Sequence, residues 1–302
     1  MSKLLEKSKQ SLMYVLKGMA IGIAMIIPGV SGGTLAVLLN IYDELIDSIN
    51  NLFKNFKKSI SILIPILLGA LIGFIALIYP LTLGLKHCPL IVVSLFAGLI
   101  IGGIPQLYKT VYKKENVVGI ILALISIGLM VGLCFINPSI ALDFSNLNFG
   151  LWIYLLLGGI FSAVALVVPG ISGSMILMIL GLYTPILLVI TDLLSFSNLL
   201  SNILILLPVG LGVILGFFSI AKLMGFLLKK HTINTYFSII GFVVGSIFTI
   251  YFVTITDPEY VIDFSPLSII LSVICLIGGF FITFLLESKL KKEPKEVHNE
   301  NR

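Results

Sequence analysis

Charge is scarce in this chain. Only 11% of the 302 residues are Asp, Glu, Lys or Arg, and 58% are hydrophobic, with a mean hydropathy of +1.16. A soluble domain carries about 25% charged residues. The shortfall excludes an ordinary water-soluble core. Arginine is nearly absent: the single one, Arg302, is the last residue, so no bidentate guanidinium clamp is available. The lysines lie in scattered short loops and the tails, which excludes a nucleic-acid-binding face despite a net charge of +5. Cysteine is limited to Cys88, Cys134 and Cys275, without paired spacing. They predict no disulfide framework and no metal site, and read as buried thiols. His87 and His231 fall in loops and His298 in the tail, and there is no HExxH and no His/Arg constellation. The chain therefore reads as a non-enzyme that needs no cofactor and no metal.

Apolar sequence fills the space that charge leaves. Six runs are long enough to cross a bilayer: 60–84, 90–108, 117–136, 202–228, 234–254 and 266–287. Two further apolar regions, 12–50 and 150–190, are each interrupted by a Pro-Gly-x-Ser-Gly motif, leaving arms of about 15–18 residues, short for a full crossing at about 1.5 Å per residue. Pro28-Gly29 also breaks the run that follows the basic N-terminus, which argues against a cleaved signal. Lysines mark four segments as cytoplasmic: 54–58, 109–114, 229–231 and the tail from 288. Segments 137–150, 191–201 and 254–265 carry no Lys or Arg and read as external. Both termini are then cytoplasmic, and 12–50 and 150–190 must each leave and return on one side. They read as helical hairpins bent at their motifs.

The two halves repeat. Pro28, Gly29, Ser31, Gly32 and Tyr42 recur 141 positions later as Pro169, Gly170, Ser172, Gly173 and Tyr183. At an offset of 143, Pro65, Gly69 and Gly73 recur as Pro208, Gly212 and Gly216, and Gly98 and Gly102 as Gly241 and Gly245. The charge pattern is reversed between the halves. The expected fold is thus an all-α polytopic membrane protein built as an inverted-topology repeat, each half one re-entrant or broken hairpin plus three transmembrane helices. The boundaries are a cytoplasmic segment 1–11, a first repeat 12–137, an external linker 138–149, a second repeat 150–287 and a charged cytoplasmic tail 288–302. The four GxxxG pairs predict close helix approach inside the bundle.

The motifs explain why small polar residues sit in a membrane segment. Proline stops the helix, glycine permits the reversal, and Ser31 and Ser172 are suited to cap the arm that follows. Each tip is expected to present backbone N–H groups, hydroxyls and the positive end of a helix dipole, an arrangement that suits phosphate or carboxylate. Irregular backbone at membrane depth is tolerated only where protein buries it or it lines a cavity. The expected phosphate-binding set is Pro28, Gly29, Ser31, Gly32, Gly33 and Thr34 with Pro169, Gly170, Ser172, Gly173 and Ser174. Lys17, Lys86 and Lys222 are candidate head-group cations, although a lysine there also snorkels to the interface. Asp43, Glu44, Asp47 and Asp192 are candidate carriers of a coupling proton or sodium ion. Tyr42 and Tyr183 read as interfacial anchors.

At IIPGVSGGT and VVPGISGS the sequence resembles the PopT polyprenyl-phosphate transporter family, over about residues 10–290. The resemblance implies movement of undecaprenyl phosphate, or a similar polyprenyl phosphate, from the outer to the inner leaflet of a prokaryotic cytoplasmic membrane, recycling a carrier lipid for cell-envelope synthesis. The second copy departs from the first, with Ser174 and Met175 where Gly33 and Thr34 stand, so the tips are expected to contribute unequally. A secondary transporter of a small soluble anion, phosphate or a carboxylate, fits the same tips.

Overall fold

The computed structural model describes residues 2–25, 31–114, 116–136, 148–194, 199–258 and 260–290. The described residues form twelve helices: α1 (Ser2–Ala24), α2 (Gly32–Leu38), α3 (Tyr42–Asn50), α4 (Phe56–His87), α5 (Pro89–Val111), α6 (Val117–Leu133), α7 (Phe149–Val167), α8 (Gly173–Ile179), α9 (Tyr183–Leu194), α10 (Leu199–Lys230), α11 (Thr232–Thr256) and α12 (Pro266–Leu290). Six stretches are long and apolar enough to span a membrane: α4, α5, α7, α10, α11 and Pro266–Leu285 of α12. Two expectations change. The run 117–136 is helical only to Leu133, 17 residues, and falls short of those six. The arm expected to be short is α7, with 19 residues, or about 28 Å of helix. Asn148 starts it by accepting a hydrogen bond from the Leu151 amide at 2.8 Å, and Pro169 ends it by forcing Val168 into extended backbone.

The returning arms are broken as well. Neither α2–α3 nor α8–α9 is one helix. Asn40 (φ 55°) and Gly181 (φ 64°) adopt left-handed backbone, and they stand 141 positions apart. Asn and Gly are the residues that tolerate that conformation, so both breaks are written locally.

Glycine seams assemble the bundle. A Cβ on Gly69 would lie 2.1 Å from the Val15 carbonyl oxygen and one on Gly73 2.2 Å from that of Met19, so α1 and α4 approach backbone to backbone. Gly212 and Gly216 do the same for α10 against Leu156 and Ile160 of α7. Gly98 and Gly102 of α5 meet Leu276 and Phe280 of α12, and Gly241 of α11 meets Ala123 of α6. All four GxxxG pairs thus serve seams within the bundle, as expected. Two of these seams join the halves, because α12 packs on α5 and α6 on α11. The two central helices also touch each other. Half of the most apolar stretch of α5 is buried, against 17% in α12, which puts α5 inside and α12 outside. Leu67, Leu71 and Ile75 on α4 and Ile270, Ile274 and Ile277 on α12 form exposed apolar faces of the kind that lipid covers.

The cysteines are free, and Cys88, expected to be buried, is exposed where α4 ends and α5 begins. At the start of α12, the Ser265 amide and hydroxyl both donate to Asp263 at 2.8 Å and hold its carboxyl below the usual range.

Seam packing gives a direct test. Gly73→Val places a branched side chain on the Met19 backbone and is expected to cost about 1–3 kcal/mol. Gly128→Ala, where an added Cβ meets nothing within 4 Å, is expected to be neutral. Thermal unfolding in detergent compares the two.

Candidate functional site

The breaks in the two hairpins come together in space, and the reason begins with a missing proton. Pro169 has no N–H, so the Ala165 carbonyl one turn earlier has no helical donor. The Ser31 hydroxyl, from the first motif, donates to that carbonyl at 3.3 Å. At the last residue of α7, the Tyr42 hydroxyl donates to the Val167 carbonyl at 2.7 Å. In return, the Gly170 amide donates to the Thr34 hydroxyl oxygen at 2.7 Å. Gly170 itself sits at φ +93°, and a Cβ there would lie 2.7 Å from the Phe242 carbonyl oxygen of α11. Only glycine meets both demands. The two motifs are one joined structure, with Ser31 and Thr34 buried at 4% and 0% exposure.

Ser31 also caps α2, accepting from the Gly33 amide at 3.2 Å, as the sequence predicts. Ser172 holds the equivalent position before α8 with extended backbone, but its hydroxyl makes no capping bond. Met175 stands where Thr34 stands in the first copy and has no hydroxyl to offer. The expected inequality of the tips is therefore visible in their bonding. With seven residues each, α2 and α8 carry little cumulative dipole, so any anion held here depends on first-turn amides and hydroxyls.

A cavity of about 310 Å³ opens at the junction. Ser31, Gly32 and Gly33 line it from one motif and Ser172 and Gly173 from the other, together with Tyr42. The remaining walls are apolar, including Ile21, Ala36, Leu45, Ile46, Ile66 and Phe217. Thr34, Pro169 and Gly170 lie outside the lining and join the tips. Pro28 and Gly29 fall outside the described residues, and so does the side chain of Ser174. Tyr42 is buried in the site at 4% exposure and is no interfacial anchor, whereas Tyr183 is half-buried. The repeat in the sequence carried a signal for Tyr42; the tip-to-tip bond that employs it did not show there.

None of the three candidate lysines lines this cavity. Lys86 is exposed in the last turn of α4, Lys17 is half-buried on α1, and Lys222 faces a neighbouring cleft. The acidic residues of α3 are tied down. The Tyr236 hydroxyl donates to Asp43 at 2.8 Å, the Tyr14 hydroxyl to Glu44 at 2.5 Å, and Lys229 pairs with Asp47 at 2.9 Å. Asn50 donates to the Ala221 carbonyl at 2.9 Å. Thus α3 is fastened to α11, α1 and α10 by residues spaced along one short helix. The corresponding positions of α9 are Thr184, Pro185, Leu188 and Thr191, with no carboxylate among them, and Asp192 is exposed. Among the described residues no group of three His, Cys, Asp or Glu is placed to hold a metal ion.

A helical bundle with six helices long and apolar enough to span a membrane, and two helix breaks that meet at a small cavity with serines and glycines in an apolar wall, has the general form of a transporter. The family can be stated outright: residues 21–263 match the VCA0040-like model, described as undecaprenyl phosphate translocase-like, and the chain belongs to that family. It is 36% identical over 245 residues to a polyprenyl-phosphate transporter of Staphylococcus aureus (strain NCTC 8325 / PS 47), covering 78% of this chain and 85% of the relative. It is 28% identical over 257 residues to a polyprenyl-phosphate transporter of Vibrio cholerae serotype O1 (strain ATCC 39315 / El Tor Inaba N16961), covering 80% and 78%. No solved structure matches the chain.

The tip junction is testable without a ligand. Thr34→Val leaves the buried Gly170 amide unpaired and is expected to lower stability by about 1–3 kcal/mol, whereas Thr34→Ser retains the oxygen and most of the stability. Equilibrium unfolding in detergent measures the difference.

Proposed function

We propose that this protein carries polyprenyl phosphate across a prokaryotic cytoplasmic membrane, from the outer to the inner leaflet, holding the phosphate where the two motifs meet. The observation that carries this reading is the single cavity lined by Ser31, Gly32 and Gly33 from one motif and Ser172 and Gly173 from the other. Small residues let backbone amides approach an anion, and the Ser172 hydroxyl adds a donor, while the Ser31 hydroxyl gives its one proton to the Ala165 carbonyl. The apolar walls favour a substrate whose own tail is apolar over a small soluble anion. The names of the relatives point the same way.

In this reading the halves form an inverted-topology repeat, 12–137 and 150–287. Its support is the matching order of short and long helices, the paired left-handed breaks at Asn40 and Gly181, and equivalent glycine seams α1–α4 and α7–α10. Rocking of one half against the other would switch access to the cavity. Thr34, Pro169 and Gly170 hold the tips together, and Ser31, Gly32, Gly33, Ser172 and Gly173 contact the head group. Asp43, Glu44 and Asp47 fasten α3 in the conformation described. A proton or sodium ion that drives transport would have to break those fastenings to act through them. No bond of the substrate is broken, so the activity is transport and not catalysis.

Leaflet transfer of a short-chain polyprenyl phosphate in proteoliposomes tests the reading. Ser172→Ala is the single-site probe, and Ser31→Ala plus Ser172→Ala the double one. Loss of a hydrogen bond to a charged phosphate is worth about 1.5–3 kcal/mol, so transfer at limiting lipid is expected to fall at least about tenfold in Ser172→Ala. Transfer unchanged in the double variant moves the phosphate elsewhere. Transport of inorganic phosphate without lipid transfer would instead support the soluble-anion carrier.

A further inference from the structure

A second cavity of about 740 Å³ adjoins the first and differs from it in charge. It lies between the end of α3, the turn that follows, and the last third of α10. Lys54 lines it from the turn and Lys222, Lys229 and Lys230 from α10, with Phe53, Phe218 and Phe226 between them. No carboxylate lines it. Asp47, bonded to Lys229 at 2.9 Å, neutralises one of the four lysines. The cleft thus keeps an excess positive charge near the site of phosphate binding. Its aromatic rings are unusually open to the outside, with Phe53 84% and Phe226 51% exposed. Lys230 sits over the Phe226 ring at 5.3 Å.

Two features separate this cleft from a scatter of snorkelling lysines. It neighbours the tip cavity: Ile49 lines both, and the adjacent residues Phe217 and Phe218 line one each. Tyr42 at the tip and Asn50 in the cleft are eight residues apart along α3, or about 12 Å. It is also more basic than its counterpart: at the 143-residue offset Lys229 and Lys230 correspond to Lys86 and His87, but Lys222 corresponds to Tyr79. A phosphate leaving a low-dielectric cavity for water must recover its hydration, and fixed cations along the way lower that barrier.

We propose that Lys54, Lys222 and Lys230 form a second phosphate station. It takes the phosphate monoester head group of a lipid between the tip cavity and the lysine-bearing face, while Phe53, Phe218 and Phe226 pack against the first part of its apolar tail. The station rests on the transport reading above. It changes the rate of passage in both directions and leaves the equilibrium between leaflets untouched, since a binding site alone supplies no driving force.

The full chain in lipid nanodiscs is treated with an amine-acetylating reagent, and modification of each lysine is followed by mass spectrometry, with Lys109 and Lys114 as references outside the cleft. The probes are farnesyl phosphate, farnesol and inorganic phosphate. Farnesyl phosphate at about ten times its dissociation constant is expected to slow acetylation of Lys54, Lys222 and Lys230 about tenfold, with the references unaffected. Absence of protection overturns the station. Equal protection by farnesol removes the phosphate from the explanation, and equal protection by inorganic phosphate assigns the cleft to soluble anions; either overturns the proposal. In proteoliposomes, K54Q/K222Q/K230Q is expected to transfer farnesyl phosphate about tenfold more slowly at low salt, with the gap narrowing as salt screens the charges. These lysines are exposed and carry no helix seam, and an unchanged thermal midpoint verifies the fold. Undiminished transfer by this variant overturns the station and leaves the tip site standing. Wild-type protein that shields the lysines but transfers no lipid overturns the transport reading, and with it the station's place on a path.

Discussion

An orphaned carbonyl at membrane depth is the constraint around which this molecule is arranged. Pro169 ends α7 and leaves Ala165, a buried residue, without its helical donor. The donor comes from Ser31, more than a hundred residues earlier in the chain. Tyr42 and Thr34 complete the exchange, so a defect in one hairpin is repaired by side chains of the other. The consequence is structural and functional together. Two breaks that lipid would reject singly are stable when joined, and the joint leaves a small cavity between them with a few polar groups in an apolar wall.

The glycine seams make that joint possible. Helices that touch through Cβ-free faces can bring their broken ends to the same depth, and the apolar residues they would otherwise use for packing remain on the lipid side. Because α12 lies on α5 and α6 lies on α11, the halves are interleaved around the two central helices.

The halves are similar in backbone and different in chemistry. Carboxylates on α3 find Tyr14, Tyr236 and Lys229, while α9 has threonine, proline and leucine in their places. The lysine cleft follows the same division. The groups that fasten α3 and the lysines of the cleft are gathered on one side of the bundle.

Composition and spacing alone determined much of this. Scarce charge and long apolar runs specified a helical membrane protein, because a bilayer admits little else. Two PGxSG copies at one offset specified where the helices break, since proline and glycine act on their own backbone whatever surrounds them. The GxxxG pairs specified close seams for the same local reason. Partners were decided by tertiary structure. That Ser31 would serve Ala165, that Tyr42 would turn inward, and that Asp43, Glu44 and Asp47 would be bonded to three different helices depends on residues far apart in the chain meeting at angstrom distances. The length of α7 and the second breaks at Asn40 and Gly181 lay between these limits: their residues were present in the sequence, but an apolar run does not reveal its helix ends until capping and packing choose them.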